Sequence, residues 1–138
     1  MAMTTAAKLP LNPAVRDTMN EHAHQVALFA WAFLARKQRP ELEALYAVPN
    51  AGKRSIGAAA YIKSEGLRSG VPDICLPVPR GGFGALYIEL KSATGRTSEQ
   101  QKKWLSRLNG LGNMAVVCRG WLEAKDTIEG YLTGGLHA

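Results

Sequence analysis

Tyr87-Ile88-Glu89-Leu90-Lys91 alternates apolar and polar residues with the period of two that belongs to a β-strand. Side chains on a strand point to opposite faces in turn, so Glu89 and Lys91 share one face while Ile88 and Leu90 share the other. An acid and a base on a strand that otherwise reads as buried must be paired, hydrated or bound, because an isolated buried charge is costly. Working back along the chain, Ala85 to Lys91 reads as the return strand of a hairpin. Pro79 to Gly84 is its glycine-rich loop, and Pro72 to Val78 is its first strand. Closure of that hairpin through Gly81, Gly82 and Gly84 sets Asp73 opposite Glu89, near one end of a sheet.

Outward from the hairpin, the remaining elements follow from periodicity and caps. The stretch from about Asp17 to Lys37 lacks proline and glycine, and Val26, Phe29, Ala30, Phe33 and Leu34 recur at helical spacing. Leu45 to Val48 reads as a strand entering the turn Pro49-Asn50-Ala51-Gly52, after which Ser55 can cap a helix that stops at Gly66. Ser98 followed by Gln101 is a capping box that opens a helix to about Leu111. Asn113 to Cys118 is a β-type run, and Leu122 to Leu132 is a last amphipathic helix. The order α-β-α-β-β-α-β-α predicts an α/β fold, a central mixed sheet flanked by helices. Residues 1–16 read as a flexible arm and residues 17–138 as a single domain.

Composition narrows the function. The 138 residues are 46% hydrophobic and 20% charged, a globular balance that excludes a disordered chain. Seventeen Lys and Arg against eleven Asp and Glu leave a net charge of +6, which suits a polyanionic partner. Cys75 and Cys118 lie far apart without a CxxC, so neither a zinc knuckle nor a disulfide framework is indicated. The apolar run Val26 to Ala35 has only ten residues, too few to span a bilayer. With no basic-then-apolar leader, the expectation is a cytoplasmic protein without a membrane partner.

Two carboxylates held close together repel unless a cation bridges them, and hard oxygen ligands suit Mg²⁺ or Mn²⁺. Such an ion stabilises charge building on phosphoryl oxygens and makes water nucleophilic near neutral pH, the requirement of phosphodiester hydrolysis. A neighbouring lysine can orient or deprotonate that water, or stabilise the developing charge. From spacing alone, a structural Glu89–Lys91 ion pair is the commoner reading of a bare ExK in a strand.

Pro72-Asp73, fifteen residues and then Glu89-Leu90-Lys91 resembles the PD-(D/E)xK motif of restriction-endonuclease-like nucleases. More closely, the chain is similar to the virus-type replication-repair nuclease (VRR-NUC) domain. The likeness runs from about Glu21 to Leu132 and rests on several features together. These are Glu21 and Gln25 on an early helix, the Pro49-Asn50 turn with Lys53-Arg54, the Gly70-Val71-Pro72-Asp73 stretch, the Glu89-Leu90-Lys91 strand and the Ser98–Gln101 helix start. The resemblance implies a restriction-endonuclease-like fold of the stand-alone phage or bacterial type, working in the cytoplasm of a bacterium or phage-infected host. Asp73, Glu89 and the Leu90 backbone carbonyl would hold Mg²⁺ or Mn²⁺, and Lys91 would be the catalytic lysine. Glu21 would support the metal directly or through water, with Gln25 on the same helical face. Gln101 would be the active-site glutamine, steadying Lys91 or a water; a one-residue slip would substitute Gln100. Asn50, Lys53 and Arg54 would meet DNA phosphates at the turn.

Plainer readings stand beside these. Glu21 is also a favourable charge in a helix's first turn, Gln25 a surface residue, and Lys53 and Arg54 an ordinary solvated turn. His22 and His24 face different directions; His24, one turn from Glu21, could edge the site, but a solvated or capping histidine is the better reading. Trp31, Trp104 and Trp121 read as core or interface, and both cysteines as small core residues. The expected activity is a Mg²⁺- or Mn²⁺-dependent DNA endonuclease leaving 5′-phosphate and 3′-hydroxyl ends. It would select branched DNA in the manner of a Holliday-junction resolvase, as a homodimer. A non-catalytic DNA-binding protein of the same fold, or a nuclease with a sequence-specific or RNA target, are the alternatives.

Overall fold

In a computed structural model, residues 18–49, 60–61 and 63–137 are described. The arm at residues 1–16, the turn residues Asn50, Lys53 and Arg54, and the cap at Ser55 lie outside the described residues.

Helix α1 spans Glu21–Ala35 and starts later than the sequence predicts, because the Asn20 side chain accepts a hydrogen bond from the Ala23 amide and caps it there. Its end is followed by a 3₁₀ turn, Pro40–Ala44, that periodicity does not reveal; Pro40 fits the first helical position, and Leu42 plugs into the core. Strands β1 (Tyr46–Ala47), β2 (Ile74–Leu76) and β3 (Leu86–Lys91) follow. Strand β2 is shorter than Pro72 to Val78. Pro72 and Pro77, which have no N–H to give a ladder, bracket it. Helix α2 (Glu99–Gly110) then crosses to β4 (Met114–Arg119), and α3 (Trp121–Leu132) closes the fold.

The sheet order is β1-β2-β3-β4, antiparallel except for the parallel β3–β4 pair, which makes it mixed. A parallel pair requires a crossover, and α2 supplies it. On one face Ile74, Leu76, Leu86, Ile88, Leu90 and Cys118 pack against Leu28 and Ala32 of α1 and Ala124, Ile128 and Tyr131 of α3. Each large aliphatic side chain buried there contributes about 1.5–3 kcal/mol. Cys118 belongs to this core, and burial pushes its thiol up to about 11. Cys75 is buried as well but faces the other way, between its register partners Tyr46 and Tyr87. Neither cysteine forms a disulfide. Among the described residues no helix is long and apolar enough to cross a membrane.

Candidate metal and phosphodiester site

The β2–β3 register pairs Ile74 with Ile88 and Cys75 with Tyr87. One step further along the same register, Asp73 faces Glu89 at the end where β2 gives way to loop. Asp73 is held on both sides of its own backbone. Its carbonyl accepts from the Val48 amide at 2.7 Å, and its Oδ2 accepts from the Leu90 amide at 2.9 Å. The aspartate is thus fastened to the strand that carries Glu89.

Glu89 is 1% exposed, an unusual setting for a carboxylate. Its Oε2 accepts from Gln101 Nε2 at 3.2 Å and lies 3.7 Å from Lys91 Nζ, whereas its Oε1 is buried and receives no hydrogen bond. Burial pushes this carboxyl up to about 9; the Asp73 carboxyl within hydrogen-bond reach raises it further, Lys91 opposes, and Glu21 adds to the rise. Lys91 is itself buried, with Nζ also 3.7 Å from Glu21 Oε1. The ammonium therefore sits between a buried and a half-exposed carboxylate.

Helix α1 brings Glu21, His22 and Gln25 to the rim of the same cleft, a hollow of about 570 Å³ floored by Asp73, Glu89 and Lys91. Of the sequence readings of His24, the capping histidine is the one the structure shows. His22 lines the cleft, whereas His24 is buried, its Nδ1 accepting the Trp121 amide at 3.1 Å where α1 meets the start of α3. Because an i, i+2 pair on a helix diverges, only one of the two can face the cleft; burial of α1 against α3 decides which. His22 carries no spacing signal that would have singled it out.

Gln101 serves two structures at once. Its Oε1 accepts the Ser98 amide at 2.8 Å while Ser98 Oγ accepts the Gln101 amide at 3.1 Å, the capping box legible in the sequence. The other end of the same side chain donates to Glu89. Its partner in the structure is thus Glu89, a contact that the sequence does not point to. Gln100, the slipped alternative, is exposed and does not line the cleft.

Among the described residues no three His, Cys, Asp or Glu side chains gather into a metal cage. Glu21 is engaged with Lys91. What the site offers is sparser: two facing carboxylates, one with an orphaned buried oxygen, beside the Leu90 backbone. That donor set fits Mg²⁺ or Mn²⁺, because a small hard ion keeps several waters and needs only one or two carboxylates from the protein.

Comparison with known proteins agrees with this architecture. No curated protein matches the chain. A solved structure of a VRR_NUC domain protein superposes with a TM-score of 0.72 at 25% identity, covering 87% of this chain and 93% of that one. The VRR-NUC domain profile matches residues 10–121, which takes in every element from α1 to β4 and all of the cleft residues. With that match over most of its length, the chain belongs to the VRR-NUC domain family, a nuclease-type family.

Proposed function

We propose that the protein is a metal-dependent DNA endonuclease that hydrolyses phosphodiester bonds, with Mg²⁺ or Mn²⁺ held by Asp73, Glu89 and the Leu90 carbonyl. The observation that carries this reading is the Glu89 carboxylate, buried opposite Asp73 with one oxygen that no donor meets. Apposed, under-satisfied carboxylates destabilise a fold unless a cation relieves them. The ion, when bound, stabilises charge on the phosphoryl oxygens and activates water for attack.

The chain's own groups do the rest. Lys91 Nζ, held 3.7 Å from both Glu21 and Glu89, presents its protons to the developing charge or orients the attacking water. Glu21, on the cleft rim, holds that ammonium from above. Gln101 fixes the Glu89 carboxylate through Oε2, which leaves Oε1 for the ion. Asn50, Lys53 and Arg54 contact DNA phosphates. The substrate is branched DNA, four-way junctions included, cut by a homodimer whose two sites address opposite strands; the products carry 5′-phosphate and 3′-hydroxyl ends.

The test is a panel of single-stranded, duplex, flap, fork and four-way DNA, each with Mg²⁺, Mn²⁺ or EDTA. Cleavage with either metal and none with EDTA is the expected result. Asp73→Ala, Glu89→Ala and Lys91→Ala should each lower the rate by about 10²–10⁴-fold with the fold retained. Metal-dependent cutting by purified Asp73→Ala protein at the wild-type rate would defeat the assignment. A strict monomer by light scattering, on and off DNA, would remove the paired-incision scheme but leave the chemistry.

A further inference from the structure

A second hollow, of about 350 Å³, lies on the outer side of α2 and is lined by Lys63, Arg68, Gln100, Trp104 and Arg107 among others. It holds three cations and no carboxylate, and none of those cations forms an ion pair among the described residues. Trp104 is half-buried and stands outside the core that takes in Trp31 and Trp121. The Arg107 guanidinium sits 5.0 Å over its ring, steadying it and setting a charge beside it.

This hollow lies beside the cleft. A narrow gap between them is lined by Arg68, Gly70, Asp73 and Gln101; Asp73 and Gln101 also line the cleft, and Arg68 also lines the outer hollow. Gly70 fixes the loop that carries Arg68. Its φ is +88°, and a Cβ there would come within 2.7 Å of the Gln100 backbone, so the loop lies directly on the first turn of α2. From Gln101 to Arg107 the helix advances roughly 9 Å.

We infer that this hollow is a strand-guiding subsite for unpaired DNA, taking the nucleotides beside the bond cut at Asp73 and Glu89. Arg68, Lys63 and Arg107 hold the phosphates, and the Trp104 ring stacks a base. Cations alternating with an aromatic ring are the combination that binds single strands, since every unpaired base offers a π-face. A duplex keeps its bases stacked inside and cannot reach the ring. The inference rests on the nuclease reading for its place in a reaction, and it supplies a physical basis for preferring branched DNA, where unpaired nucleotides adjoin a duplex.

The test is a binding measurement on the full chain in EDTA, so that cleavage plays no part. Oligothymidylate of eight nucleotides is titrated against tryptophan emission, with an eight-base-pair duplex as competitor. Wild-type protein should bind the single strand in preference and lose emission. Trp104→Phe should keep the affinity within about 3-fold but abolish the quench, and Trp104→Ala should weaken binding about 10-fold. The Arg68→Ala, Arg107→Ala double variant, altered only at solvent-facing charges, should bind more weakly and lower the salt slope by about 1.4. Equal affinity for duplex, an undiminished quench in Trp104→Phe, or an unchanged double variant would overturn the subsite. Manganese-dependent cleavage, followed in parallel, separates the two readings: cutting with an unchanged double variant sinks the subsite alone. Strand binding as expected with no cutting sinks the nuclease alone.

Discussion

Glu89 embodies a conflict between stability and chemistry. Folding removes its carboxyl from water, sets it against Asp73 and leaves Oε1 without a donor, so the ionised form is disfavoured. Its pKa is raised on folding, so its contribution is fully present below the unfolded value near 4.5 and is lost as pH climbs toward about 9. Glu89→Gln removes the charge but keeps the shape and the acceptor for Gln101. In EDTA this variant should be more stable than wild type by about 1 kcal/mol, with a larger gain at pH 8 than at pH 5, as read from thermal unfolding. A variant melting below wild type at pH 8 would show that the buried charge is compensated by something other than a metal. The reverse holds with ion present. Millimolar Mn²⁺ should raise the wild-type midpoint by linkage and leave Asp73→Ala and Glu89→Ala unmoved.

At the scale of elements, the hairpin and α2 were the most legible parts, because each carries a local chemical signature. Proline and glycine punctuate the hairpin, and Ser98 with Gln101 announces the helix. Asp73 opposite Glu89 followed from hairpin closure alone, and the register agrees. What local pattern could not supply was anything decided by packing between distant segments. The 3₁₀ turn at Pro40–Ala44 has no periodicity to detect, and His24 becomes an acceptor only because α3 begins beside it, 97 residues later. His24→Ala strands the Trp121 amide and opens a void, and it should destabilise the protein by about 1–3 kcal/mol in denaturant unfolding. Cleavage by the surviving folded fraction should stay near wild type, since His24 does not line the cleft.

Over the whole molecule, the sheet divides labour between its faces. Aliphatic residues toward α1 and α3 hold the strands together, while Asp73, Glu89 and Lys91 on the opposite-facing positions are free to be costly. A one-residue slip of β3 would exchange these sets, so the core enforces the register the site needs. The sequence conveyed this division through the alternation in Tyr87 to Lys91. It did not convey the outer hollow, whose lining comes from a loop and a helix brought together by the chain's path, with Arg68 unremarkable in its own neighbourhood.

The two-ended engagement of Gln101 has a practical corollary. An amide has opposite polarities at its ends, and the Ser98 cap takes the oxygen, which leaves only the NH₂ end for Glu89. Exchanging that NH₂ for oxygen, as in Gln101→Glu, retains a side chain that caps equally well and adds like-charge repulsion at the carboxylate below. In EDTA the melting temperature should fall, because the buried Glu89 loses its donor and gains a like charge, and the cleavage rate should fall with it. One atom exchanged at the end of this side chain thus reaches the fold and the candidate site together, while the helix cap beside it is kept.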